Sequence, residues 1–337
     1  LYTMTFRLRA ARASDIGSLY EMAKLTGGGF TNLPPDKPNL KAKLARAEAT
    51  FARSEDTLDN DLIVLMLENI DDPHVRGTCQ IYSKIGQTAP FYSYRIGTLT
   101  QTSSELNRTF RAEMLSLSTD FEGASEVGGL FLHPNERAGG LGMLLARSRY
   151  LYIRAHRPRF AERIFAELRG VFDEGGGSPF WDGLAGKFFG MTFPEADAFN
   201  AVNGFQFIAD LMPKHPIYTA LLPDTARAVM GLPHPSGRAA MRMLENEGFV
   251  HDNYIDIFDG GPTMHTRTDH VKTVAKSRDI EVTKVAANSA PRAIASTGRL
   301  GTFRAAWACV TDDGCIDPEG AMALSVEPGE KIQVAPQ

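Results

Sequence analysis

The chain has 337 residues, 43% of them hydrophobic, and a formal net charge of −4 with both signs interspersed. That is enough apolar material for one or two domains, and the absence of any basic block or basic face with interleaved aromatics argues against a nucleic-acid partner. No apolar run approaches the about 18 residues needed to cross a bilayer, and Leu1-Tyr2-Thr3 lacks the charged and apolar regions of a signal peptide, so Met4 reads as the natural start and the protein as soluble and cytoplasmic.

In chain order, alternation predicts an opening strand over 6–10. Ser14 reads as an N-cap, and Ile16, Leu19, Tyr20 and Ala23 recur at helical spacing until Gly27-Gly28-Gly29 ends the helix. A more exposed helix over 41–53, a continuous apolar strand over 62–67, a turn at Asp71-Asp72-Pro73 and a returning strand over 75–81 follow. Further strands are expected over 91–99, 129–133 and 164–171, with helices over 140–155 and 179–189. Two later pieces echo one another as helix, Gly-Phe, strand: one around Gly204-Phe205 with a strand through Leu211, the other around Gly248-Phe249 with a strand through Phe258. Beyond about residue 276, small side chains and glycine turns suggest a small structural β subdomain. The expected division is 1–215, 216–276 and 277–337. Cys79, Cys309 and Cys315 have no metal-ligand spacing, so neither a metal nor a disulfide framework is expected.

The segment from Gly129 to Tyr150 carries the chemistry. A short apolar run meets His133-Pro134, then Arg137-Ala138-Gly139-Gly140-Leu141-Gly142 opens a helix. A P-loop would need Gly-Lys-Ser/Thr, which is missing, and a dinucleotide fingerprint would need a third small residue where Met143, Leu144 and Leu145 stand. Arg-x-x-Gly-x-Gly after a strand and at a helix N-terminus matches the diphosphate loop of acyl-CoA N-acyltransferases, with an ordinary glycine turn as the alternative. Glycines let backbone approach a ligand, and first-turn N–H groups with the helix dipole favour phosphate oxygens. Leu130, Phe131 and Leu132 of the preceding strand would align the pantetheine arm through their backbone groups, while their side chains read as core.

The sequence resembles the arginine N-succinyltransferase family from about residue 6 to about residue 277. The resemblance rests on "KLTGGGFTNLP" (24–34), "PFYSYRIGTL" (90–99), "LFLHP" (130–134), "LLARSRYLYI" (144–153), "AELRGVFDEGGGSPFW" (166–181), "MPKHPIY" (212–218), "GLPHP" (231–235) and "NYIDIFDGGPT" (253–263). Val127-Gly128-Gly129 departs from the family's bulkier run at that place, which bears on the width of the acyl pocket. The resemblance implies an α+β fold of N-acetyltransferase type, with a mixed sheet, flanking helices and two related halves. It also implies succinyl transfer from succinyl-CoA to the α-amine of L-arginine, in arginine breakdown. It assigns a proton-donor role to His234 and a succinyl-CoA contact to Leu130. Assembly would be a homodimer or a pairing with a paralogous subunit.

The residues fit those demands. A histidine near its ordinary pKa of about 6.5 can serve an attacking amine or a departing thiolate. His234 lies between prolines ahead of a helix from Arg238, whereas His215 and His133 read as structural residues at strand ends. The succinyl carboxylate calls for a cation or several N–H donors, with Arg95, Arg169 and Lys214 as candidate cations; the guanidinium calls for carboxylates, with Glu167, Asp173, Glu174, Asp256 and Asp259 available. Each of these charges also reads as a solvated face or structural ion pair. No Gly-x-Ser-x-Gly nucleophile turn is present, which favours direct transfer. The alternatives are the same chemistry on ornithine or another basic amino acid, a thioester hydrolase, and a CoA-binding regulator without catalysis.

Overall fold

The chain divides into two units, residues 1–84, 125–164 and 267–337 in one, 85–124 and 165–266 in the other. The computed structural model describes residues 5–26, 32–137, 139–204 and 206–337. Gly27-Gly28-Gly29, Ala138 and Phe205 lie outside the described residues. The class is the expected α+β, a large sheet with flanking helices. The units interleave along the sequence, in place of consecutive segments cut at 215 and 276.

In the first unit the strand order is Arg278–Glu281, Lys331–Val334, Arg292–Thr297, Arg304–Cys309, Phe6–Ala10, Leu62–Asn69, Asp72–Tyr82 and Ser125–Leu132. All these pairings are antiparallel. Leu62–Asn69 is buried at every position, which is why it reads as continuous apolar sequence and not as alternation. Helices Ile16–Lys24 and Lys37–Ala52 pack beside it, burying Leu19, Met22, Leu40, Leu44 and Ala47. The second helix begins earlier than the expected residue 41 because Asp36 caps it, its carboxylate accepting the Asn39 amide at 2.9 Å. Ser14 is not a cap. Asp15 takes the local role instead, accepting the Arg12 amide at 2.7 Å and both terminal nitrogens of the buried Arg9 at 2.8 Å.

The segment 277–337 is continuous with that sheet. Leu8 sits opposite Ala305, so the C-terminal strands extend the sheet from the opening strand outwards. A helix not foreseen from sequence, Pro318–Leu324, packs on Arg304–Cys309. A Cβ at Gly320 would fall 2.5 Å from the Ala308 Cβ, so glycine permits that close approach.

The second unit carries the strand order Pro262–Arg267, Val250–Ile255, Ser93–Ser103, Arg108–Ser118 and Ile217–Tyr218, again antiparallel. Arg108–Ser118 was not expected, because only two of its eleven positions are buried and it offers little apolar alternation. The aromatic segment 179–189 splits into Pro179–Gly183 and Gly186–Phe189, with Trp181 and Phe180 fully buried and Trp181 stacked on Phe258 at 5.6 Å. The internal echo fails. Residues 206–211 form a helix, Gln206–Leu211, while the corresponding later piece is the strand Val250–Ile255. Phe207, Ile208 and Leu211 recur at helical spacing, and Gln206 bonds Asp210 four residues on at 2.8 Å.

Candidate active site

In the first unit, Ser125–Leu132 runs antiparallel to Asp72–Tyr82 with Thr78 opposite Phe131 and Gln80 opposite Gly128. Two steps on one strand thus meet three on the other, a β-bulge at Gly129-Leu130 that takes the extra residue out of the ladder. Gly129 has φ 55°, and a Cβ there would fall 2.6 Å from the Gln80 side chain, so glycine alone fits. Phe131 is buried in the core, while Leu130 and Leu132 are half-buried.

The strand ends at His133, whose Nδ1 accepts the Asn135 amide at 3.3 Å. Arg137 is exposed. Gly139 and Gly140 are both left-handed, at φ 69° and 77°, and lead into the 15-residue helix Leu141–Ala155. No side chain caps this helix: its N-cap is Gly140, and the first-turn N–H groups precede the helical ladder, which starts with Leu144 N–H donating to the Gly140 carbonyl at 3.0 Å. A Cβ at Gly139 or Gly142 would meet nothing within 4 Å, and one at Gly140 would come 3.2 Å from Trp307. The loop is open backbone at a helix N-terminus, suited to an anion.

Against the bulge stands a polar cluster. The Lys43 ammonium donates to the Asn32 carbonyl and to Gln80 Oε1 (3.2 Å); Gln80 Nε2 donates to the Asn32 carbonyl (3.1 Å) and Tyr82 Oη to Gln80 Oε1 (3.2 Å). Glu126, 9% exposed, lies beside it, its Oε1 3.3 Å from where a Gly128 Cβ would be. Burial pushes the Glu126 carboxyl up to about 7, against the pull of Lys43, and burial brings Lys43 down to about 8.

In the second unit, His234 is half-buried on the loop before Arg238–Asn246. Its amide donates to the Arg169 carbonyl at 2.7 Å, and its Nδ1 accepts the Ser236 amide at 3.2 Å and meets Ser236 Oγ at 2.7 Å, which leaves Nε2 to exchange a proton with a ligand. Burial and the Arg169 charge hold His234 below its ordinary 6.5. The Arg169 guanidinium lies 4.2 Å over the Phe172 ring, itself 6.0 Å from the His234 ring. Asp256 is committed to a turn: its Oδ1 accepts the amides of Phe258 (2.7 Å) and Asp259 (2.9 Å). Asp173 is likewise committed, to the amides of Gly175 and Gly177 at 2.9 and 2.8 Å. Arg169, His234, Asp256 and Asp259 therefore come together. Arg95 is exposed on the strand Ser93–Ser103, Glu167 is half-buried at the end of Arg163–Glu167, and Lys214 and His215 are exposed ahead of Ile217–Tyr218.

The family pattern described as "arginine N-succinyltransferase beta subunit" matches residues 6–273. The chain belongs to this family. Arginine N-succinyltransferases of Citrobacter koseri and Escherichia coli are 44% and 43% identical to it over 275 residues, covering 82% of this chain and 80% of theirs. The solved structure of arginine/ornithine succinyltransferase subunit AI from Pseudomonas aeruginosa is 31% identical and superimposes with a TM-score of 0.90 over 99% of each chain. Like that structure, this family member is an acyltransferase. Among its described residues no group of three or more His, Cys, Asp and Glu could hold a metal ion, and no helix is long and apolar enough to cross a membrane. Lys43, Gln80, Tyr82 and Glu126 were missed in the sequence. The available signal was the Gly128-Gly129 pair inside a strand, which marks a bulge or a close backbone approach.

Proposed function

We propose that this chain transfers the succinyl group of succinyl-CoA to the α-amine of L-arginine, giving N2-succinyl-L-arginine and CoA. The observation that carries the reading is the bulged strand running into an uncapped, glycine-led helix N-terminus, in a chain of this family. The diphosphate of CoA would lie on the amides of 139–142 with Arg137 at the mouth, and the pantetheine arm along 130–132. Ala138, assigned to the same loop, lies outside the described residues.

The amine nitrogen attacks the thioester carbon, and the C–O double bond opens to an oxyanion that main-chain N–H groups of the bulged strand can receive. The amine must shed a proton, and Glu126, with a carboxyl near 7, is suited to accept it. As the C–S bond breaks, the departing thiolate takes a proton, the role assigned to His234. Lys43, half-buried at the bulge, supplies the cation that a succinyl carboxylate needs and an acetyl group does not. The "subunit" wording attached to the relatives supports work in an assembly, as a homodimer or with a paralogous chain.

Free-thiol release from succinyl-CoA and acetyl-CoA, each with and without arginine or ornithine, tests this. Release that depends on arginine and is far faster with succinyl-CoA is expected. Ornithine outpacing arginine would change the acceptor, and release without any amine would make the protein a hydrolase.

A further inference from the structure

The turn 256–261 carries two carboxyls, offered by the sequence for the guanidinium, that the proposed transfer chemistry does not use. Asp259 is 8% exposed, and its two oxygens accept the amides of Gly170 and Gly261, each at 2.8 Å. Next to Gly170 is Arg169, whose carbonyl receives the His234 amide at 2.7 Å; next to Gly261 is Gly260, whose carbonyl receives the Gly231 amide at 2.8 Å. One carboxyl thus clamps the two backbone segments from which the loop 231–234 hangs by both ends. The fit leaves no slack: a Cβ at Gly170 would fall 2.4 Å from the Asp259 carbonyl oxygen, and one at Gly261 would fall 2.1 Å from the Leu168 carbonyl oxygen. Asp256 fixes the turn from within through the amides of Phe258 and Asp259. Buried hydrogen bonds to a carboxyl are strong and costly to leave unmade.

We propose that Asp259 is a positioning residue for His234: it locks 168–170 to 259–261 and so holds the imidazole in the one place from which it can deliver a proton. The inference rests on the reading of His234 as the proton carrier. It also gives the blocks around Arg169-Gly170, "GLPHP" and "DGGP" one shared purpose, because each supplies a member of the clamp.

A double-mutant cycle tests it, with kcat, both KM values and thermal unfolding measured for Asp259→Asn, His234→Ala and the double variant. Asn keeps the shape but has one acceptor oxygen where two are needed. Asp259→Asn is expected to lower kcat by roughly 10²-fold, the scale of a catalytic group displaced by about 1 Å, with the succinyl-CoA KM within about twofold. The double variant should be no slower than His234→Ala alone. Wild-type kcat in Asp259→Asn, or losses that multiply in the double variant, would overturn the positioning role. Wild-type kcat in His234→Ala would instead remove His234 from the mechanism, a separately visible failure. If Asp259→Asn does not fold, the same cycle is run with Gly170→Ala, whose methyl group displaces the clamp while both carboxyl oxygens remain.

Discussion

The Gln80 side chain fills the space that a side chain at Gly129 would need, with 2.6 Å between the Gln80 carboxamide carbon and the position of a Gly129 Cβ. The bulge and the polar cluster are therefore one construction. Gly129→Ala must move Gln80 and adopt φ near 55°, at an expected loss of about 1–3 kcal/mol. Gly139→Ala, with nothing within 4 Å, carries only the left-handed backbone cost of about 1–2 kcal/mol. Denaturant unfolding with kcat/KM on the same samples checks both: the first variant should lose stability and turnover together, and an unaffected Gly129→Ala would mean the bulge is not required.

Glu126 sets a pH dependence. Its carboxyl is held near 7 by burial, so kcat/KM should climb with pH through a limb near that value as the base form appears. Glu126→Gln should flatten the limb and lower the plateau by roughly 10²-fold or more. A pH profile of the variant that kept the limb would transfer the proton role to another group.

Lys43→Met should raise the KM for succinyl-CoA about tenfold, consistent with loss of one charge-assisted contact, while that for acetyl-CoA changes little. Equal effects on the two donors would place the succinyl carboxylate elsewhere.

The Arg9, Asp15 and Glu68 network governs stability in the first unit. Arg9 Nε meets Glu68 at 2.5 Å, and Arg9 also grips Asp15 bidentately at 2.8 Å. Asp15→Ala leaves that buried guanidinium half-paired, at an expected cost of about 3–5 kcal/mol by urea unfolding at neutral pH. Burial alone would raise Glu68, but the bonds from Arg9 and Arg7 outweigh it and hold its carboxyl below 4.5. A carboxyl depressed in the fold stabilises above its unfolded value, so this contribution should fade as pH drops below about 4.5 and further through the folded value. Stability that rose on acidification over that range would contradict the network's role.

The glycine loop was legible because its signals are local: left-handed glycines at 139 and 140, an apolar strand before them and an apolar helix after. The opening strand, the buried strand Leu62–Asn69 and the α+β class could be read for the same reason. The bulge could not, because it is a property of register between Gly128 and Gln80, and registers are set by partners distant in sequence. Asp256 looked like a free carboxylate because sequence does not show that the amides of Phe258 and Asp259 already occupy it. Arg108–Ser118 escaped because a strand with only two buried positions buries too little to pattern its sequence. The segment 206–211 was misread because a Gly-Phe start outweighed its helical spacing.

A crystal structure with CoA bound tests the central claim most directly. The diphosphate oxygens should lie within hydrogen-bonding distance of the amides of residues 139–142, with Arg137 beside them. Phosphates lodged elsewhere on the chain would contradict the account.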